Sequence, residues 1–255
     1  MIWVFLALLA IAAIVCAVAV WYHIKKRAAR QAALSAVAAS SGMRFLPEGF
    51  SSRHLWTSEP FDSVRTSNNR FTTQLDEFDP FQFRGGLTLE NLLLLEDGPA
   101  SIYAFDYRAT RMIEDPGGGS SQQLEYGVVA MRVPLLMSKM RLTPNGFLAR
   151  KAVPFGVKDI SFESEDFNSR YFVSATDVKF AYDILHPQAI EYLLSIPARD
   201  WQFGNMWIVI TQTGFFDAEE IGDICAELRT FVGMIPDYVW EDRGFEPKWR
   251  SGVDI

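Results

Sequence analysis

Histidine and cysteine are scarce in this chain of 255 residues: three histidines, at 23, 54 and 186, and two cysteines, at 16 and 225. Two distant cysteines cannot build a disulfide framework, which agrees with a reducing compartment, and Cys225 reads as a small core residue. No histidine has a neighbour at metal-ligand spacing. His-Glu-x-x-His, Cys-x-x-Cys, Gly-x-Ser-x-Gly and Asp-x-Asp-x-Asp-Gly are absent, so the common hydrolase and metal motifs are excluded. Acidic residues are missing from the first 47 positions, and Met1 to Tyr22 holds no charge of either sign.

That uncharged run decides the layout. Twenty-two helical residues reach about 33 Å, enough to cross a hydrocarbon layer about 30 Å thick. Trp3 at one end and Trp21 and Tyr22 at the other are placed where amphipathic rings favour the interface, and Lys25, Lys26, Arg27 and Arg30 follow. The positive-inside rule then sets the N-terminus outside and the rest in the cytoplasm. Nothing basic precedes Ile24, as a secretory signal requires, and Ala13-Ile14-Val15 puts a bulky residue before Cys16 where lipoprotein processing needs a small one. The expected domains are a transmembrane helix at 1–23, a basic juxtamembrane helical stalk at 24–41 and a soluble α+β domain at 42–255. Ala-rich sequence makes the stalk a helix, Gly42 is its expected C-terminal cap, and a simple spacer is its expected role.

Charge sets the possible partners. Residues 42–255 carry 20 basic against 31 acidic residues, a net charge of −11, which repels nucleic acid. The basic cluster instead suits anionic lipid headgroups, at about 1 kcal/mol per Lys or Arg.

Within the domain, Met43 to Leu46 reads as a short strand, followed by a stretch broken by Pro47, Gly49, Pro60, Pro80, Gly85 and Gly86. Its aromatics, Phe50, Trp56, Phe61, Phe71, Phe78, Phe81 and Phe83, predict a segment pinned to its own domain. Leu87 to Glu96 and Ser101 to Arg108 predict a hairpin about Asp97-Gly98-Pro99, with Tyr103, Phe105 and Tyr107 on one face. A third strand is expected over Leu124 to Val133 after a flexible tip from Asp115 to Ser121. That glycine run lacks the Gly-Lys-Ser/Thr ending of a phosphate loop. Further strands are expected at Met137 to Leu142, Tyr171 to Thr176 and Met206 to Thr211. Asp177 is placed to cap a helix to Leu185, Pro187 to open one carrying Ile190, Leu193 and Leu194 inward, and Asp217 with Glu220 to box a third whose buried face is Ile221, Ile224, Cys225, Leu228 and Val232.

Two acidic groups are the residual candidates for chemistry. Asp76, Glu77 and Asp79 read as a solvated loop, and Glu163, Glu165 and Asp166 as an exposed turn; acid–base work needs such groups buried together. Arg65, Arg70 and Arg84 read as surface charge.

At Ala104-Phe-Asp-Tyr-Arg108, Val128-Val-Ala-Met-Arg-Val-Pro134 and Asp159-Ile-Ser-Phe-Glu-Ser-Glu-Asp-Phe-Asn-Ser-Arg-Tyr-Phe-Val173, the chain resembles an actinobacterial set of single-span membrane proteins with a cytoplasmic α+β domain and no assigned active site. The resemblance runs to about residue 210, and it implies an accessory subunit of the actinobacterial cytochrome bcc–aa3 respiratory supercomplex. Phe167 and Asn168 are read as structure, a buried ring beside an amide serving a turn.

The expectation is thus an α+β protein: one N-terminal transmembrane helix, then a mostly antiparallel sheet domain with helices packed against it. It would act without catalysis, cofactor or metal, docking on an integral membrane complex of the respiratory chain. Membrane and partner contacts are expected at Ile2, Trp3, Phe5, Leu6, Leu9, Trp21, Tyr22, Lys25, Lys26, Arg27 and Arg30. The alternatives are a membrane-proximal module holding a lipid or small ligand, which needs a closed apolar pocket, and an enzyme using the carboxylates near 163–166, which needs a cleft.

Overall fold

The computed structural model describes residues 2–47, 50–51, 64–65, 71–72, 75, 77–81, 88–97, 100–115, 118–145 and 158–243. Helix α1, Ile2–Ser41, is one unbroken helix of 40 residues. It contains no proline or glycine to kink it, and Gly42 at φ +67° ends it in the left-handed region that glycine adopts at no steric cost. The helix is long and apolar enough to cross a membrane, and its first half is exposed. The second half is no free spacer. Leu34 and Ala38 are buried, Arg30, Gln31 and Val37 are half-buried, and their three- and four-residue spacing puts all five on one face. Burying a leucine is worth about 2 kcal/mol in transfer terms, so the sheet has a reason to hold the stalk.

Among the described residues the domain is an eight-stranded antiparallel sheet with helices on one face. Strands β1 (Arg44–Leu46), β2 (Phe50–Ser51), β5 (Thr88–Asp97), β6 (Ala100–Asp115), β7 (Gly118–Pro144), β8 (Lys158–Ile160), β9 (Tyr171–Ala175) and β10 (Asp200–Thr213) form it; β3 (Val64–Arg65) and β4 (Phe71–Thr72) pair separately. The order is β1-β5-β6-β7-β9-β8, with β10 on the other edge of β7 and β2 beside β5.

Strand β7, 27 residues long, organises the sheet. It joins the two strands expected at 124–133 and 137–142 and runs through Pro134, a residue that removes a ladder donor. The register explains why. Pairing with β6 ends at Arg132↔Ser101, pairing with β9 begins at Met140↔Ala175, and pairing with β10 jumps from Arg132↔Trp207 to Met137↔Asn205. Pro134 thus lies in a bulge where no partner needs its missing N–H. The same irregularity hides the first half of β10, because Asn205, at φ +50°, reads as a break. The ladder beyond Arg108 is also longer than expected: Ser120 and Ser121, assigned to a flexible tip, pair with Ile113 and Met112.

The bulge folds β7 and β10 back on themselves. Gln202 and Thr211 are nine residues apart, about 30 Å along a straight strand, yet their side chains hydrogen-bond at 3.2 Å. The concave face so made is filled by Leu75 and Phe78 against Tyr103, Phe105, Val128, Trp207 and Val209, with Phe81 packed alongside. Trp56, Phe61 and Phe83 lie outside the described residues.

The other face carries the main core and the helices. These are α2 (Glu165–Arg170), α3 (Val178–Ile184), α4 (Pro187–Ser195), α5 (Ala218–Gly233) and α6 (Asp237–Asp242). Asp177 caps α3 by accepting from Phe180 N, and Asp217 with Glu220 forms the capping box of α5. Ile221, Ile224, Cys225, Leu228 and Val232 are all buried, as the periodicity predicts; on α4, Ile190 and Leu193 are buried and Leu194 only partly. Asn168 serves Phe162 at both backbone groups, accepting from its N–H at 2.9 Å and donating to its carbonyl at 2.6 Å, while Phe167 is fully buried. The fold class is the one expected.

Candidate functional site

The densest polar cluster lies where α1 leaves the apolar run and meets the sheet. In β6, Tyr103, Phe105 and Tyr107 face the concave side, so Asp106 must face the helices, among Ile102 and Ala104. A carboxylate there needs a partner, and α1 supplies it. Arg30 donates to Asp106 twice, Nε to Oδ2 at 2.7 Å and a terminal nitrogen to Oδ1 at 2.6 Å, and its other terminal nitrogen donates to the Phe216 carbonyl at 3.0 Å. Asn91 Nδ2 donates to Asp106 Oδ2 at 2.7 Å, and Gln31 donates to Asn91 Oδ1 at 3.3 Å. Asn91 sits at φ +56° inside the β5 bulge between Glu90 and Leu93, which turns its amide toward the carboxylate.

A second layer lies nearer the apolar half. Arg108 donates to Glu125 at 2.8 Å and to Glu90 at 2.6 Å, and Arg27 approaches Glu90 at 3.6 Å. The Phe215 ring is shared, with Arg30 at 5.0 Å and Arg108 at 4.9 Å from its centre. Burial opposes the Arg108 charge, and the two carboxylates outweigh it, so its pKa is raised.

The expected contact residues are therefore split. Trp3, Leu6, Leu9, Trp21 and Tyr22 are exposed on α1; Ile2 and Phe5 lie on it too, but their side chains fall outside the described residues. Lys25 lies 4.8 Å over the Trp21 ring, and Lys26 is exposed. Arg30, expected at lipid headgroups or a partner, is instead committed to Asp106, and Arg27 is partly drawn to Glu90. Sequence reasoning missed Asp106, Asn91, Arg108 and Phe215. One signal was present: an acid on the small-residue face of an otherwise apolar strand, matched by an arginine heading a helical stripe.

A second polar cluster closes the concave face. Arg141 donates two bonds to Asp200, at 2.9 and 2.6 Å, and one to Asp79 at 2.5 Å. Gln202 accepts from the Asp79 N–H and donates to its carbonyl, both at 3.0 Å. Burial opposes the Arg141 charge, but Asp200 and then Asp79 outweigh it and hold its pKa above the usual range. A cleft of about 230 Å³ beside it is lined by Pro80, Tyr126, Thr211, Gln212 and Thr213. The side chains of Glu77 and Asp79 stay well exposed, as the reading of a solvated loop has it, yet these contacts hold the loop on the domain, and Glu77 also pairs with Lys139 at 3.0 Å. They clasp the segment that carries Phe78 into the concavity; Asp76 lies outside the described residues.

The remaining candidates are placed apart. Glu163, Glu165 and Asp166 are all exposed, the last two in the first turn of α2, so the cleft an enzyme needs at 163–166 is not formed. Among the described residues no three His, Cys, Asp or Glu side chains are grouped to hold a metal. His186 precedes α4 and its Nε2 lies 2.9 Å from the Met234 carbonyl; His54 is outside the described residues. The apolar concavity that could take a lipid is filled by the protein's own Leu75 and Phe78.

No protein-family model and no curated protein matches the chain. Among solved structures, the chain is similar to the mycobacterial trehalose monomycolate transport factor A, in its crystal structure, with a TM-score of 0.52, 13% identity, and coverage of 79% of this chain and 91% of that one. What the likeness establishes is the fold.

Proposed function

We propose that this protein is a membrane-anchored accessory factor without catalytic activity, whose first helical half spans the plasma membrane with the N-terminus outside and whose domain stands in the cytoplasm against a larger integral membrane assembly. The observation that carries this is the clamp of α1 on the sheet. A mere tether needs no arginine paired with a buried Asp106 and no buried Leu34, whereas a docking subunit needs its domain held at a fixed height and rotation beside the membrane. Lys25 and Lys26, exposed next to Trp21 and Tyr22, are left for anionic headgroups.

The fold neighbour is a trehalose monomycolate transport factor, which supports an accessory role and suggests a transport assembly as the host. The respiratory bcc–aa3 supercomplex is the other host, implied by the sequence resemblance. Purification of the full-length protein in mild detergent through a C-terminal tag distinguishes them: stoichiometric recovery of a polytopic transporter supports the first, recovery of cytochrome subunits the second. Recovery of the protein alone sinks the accessory reading.

A further inference from the structure

The β6–β7 ladder outruns the rest of the sheet. Among the described residues, the pairing of β5 reaches Thr88↔Arg108 and that of β10 reaches Thr213↔Tyr126, yet β6 and β7 continue pairing to Asp115↔Gly118. Seven residue pairs, Ala109↔Leu124 to Asp115↔Gly118, thus form a two-stranded arm. The β7 edge of this arm is open among the described residues, because β10 turns away at Gly214, φ +79°, toward the cap of α5. That edge is unguarded. From Gly118 to Leu124 it contains no charge and no proline, and its register has no bulge, so it lacks the devices that keep strand edges from pairing. Gly119, Ser120, Ser121, Gln122 and Gln123 are exposed.

The arm also has a fixed direction. Along α1, Arg30 meets Asp106, and Arg27 meets Glu90 at the level of Arg108; past its end, Arg44 pairs at the level of Leu94 and Tyr103. Strand β6 therefore runs toward the membrane as α1 runs away from it. Arg27 is about 6 Å along the helix from His23, whereas Asp115 is about 23 Å along the strand beyond Arg108. An arm with an open edge cannot enter hydrocarbon, so it must lie along the headgroup layer, beside whatever stands next to α1.

We infer that this edge of β7, residues 118–124, is the docking site for an extended, basic juxtamembrane segment of the integral membrane partner, added as a further strand. The inference rests on the accessory reading. Charge selects the occupant: residues 42–255, the domain that carries the arm, hold 20 basic against 31 acidic residues. Cytoplasmic segments next to membrane spans are enriched in Lys and Arg, so the complement lies at the same height. Main-chain pairing supplies the contact and the charges the selection.

The test uses the full-length protein in its native membrane, with a photo-reactive side chain at Gln122 and, as a control, at the exposed Tyr182. The expected adduct forms from position 122 only and maps to a Lys/Arg-rich stretch within about 20 residues of a span of the partner. Adding guard charges by Ser121→Lys with Gln123→Lys is expected to lower its yield about tenfold. Circular dichroism of the same variant should show an unchanged melting curve, since Ser121 and Gln123 are exposed. Adducts with lipid only, with a second copy of this chain, or with a segment lacking basic residues overturn the inference, as does a yield the lysines leave unchanged. A partner that still co-purifies fully with the lysine variant overturns the arm while sparing the accessory reading; no partner with the unaltered protein overturns both.

Discussion

Two arginines in this protein make nearly the same bonds and should not be worth the same. Arg30 and Arg141 each donate three hydrogen bonds, each pairing two of them with one aspartate. The side chains of Arg30 and Asp106 are 22% and 4% exposed, whereas that of Arg141 is 35% exposed and those of its partners Asp200 and Asp79 are 19% and 46% exposed. Water can replace what Arg141 gives Asp79; it cannot reach Asp106. The difference shows that the surroundings of a charge pair, not its bond count, set what its loss costs.

Removing Arg30 is the strongest test. Arg30→Ala leaves Asp106 buried and uncompensated and should lower the stability of the detergent-solubilised protein by about 3 to 5 kcal/mol in denaturant titrations. Replacing both partners by apolar residues, Arg30→Met with Asp106→Leu, should recover most of that. A double variant as unstable as the single one would mean that the geometry of the pair, rather than the orphaned charge, is what matters.

Next in size is the side chain that the Arg141 cluster holds in place. Phe78→Ala empties the concave face and should cost about 3 kcal/mol. Arg141→Ala, which only loosens the clasp, should cost less than about 1 kcal/mol and show greater sensitivity to salt than Arg30→Ala. Equal losses at the two arginines would break the comparison.

The smallest effect on stability comes from Cys225. Burial pushes its thiol up to about 12, with Arg229 opposing and Glu227 adding slightly. Because the folded value lies above the unfolded one, near 8.5, the thiol's contribution is intact below pH 8 and is lost as pH rises toward 12. In a Cys16→Ser variant, native Cys225 should react with a maleimide at pH 8 about a thousandfold more slowly than after unfolding, as timed by mass spectrometry.

Local signals were legible in the sequence because their physics is local. The apolar run of α1, the capping box at Asp217 and Glu220, the buried face from Ile221 to Val232 and the pairing of Asn168 with its own turn all follow from spacing. What was not legible depends on partners distant in sequence. Pro134 breaks a strand only if a neighbour needs its N–H, and the register that spares it comes from β6, β9 and β10 together. In sequence the stalk reads as a spacer because alanine on its outer face blurs the stripe from Arg30 to Ala38. Its two decisive contacts, Asp106 and Phe216, lie 76 and 186 residues away.

The continuity of α1 has a mechanical consequence. A hydrophobic span that is too long for its bilayer tilts, and a helix without a hinge passes that tilt undiminished to its other end, where the sheet is bolted on at Arg30 and Leu34. Ten degrees over a lever about 60 Å long swings its far end by about 10 Å. On the proposed membrane-spanning reading of α1, the thickness of the bilayer is thereby converted into the angle at which the domain leans.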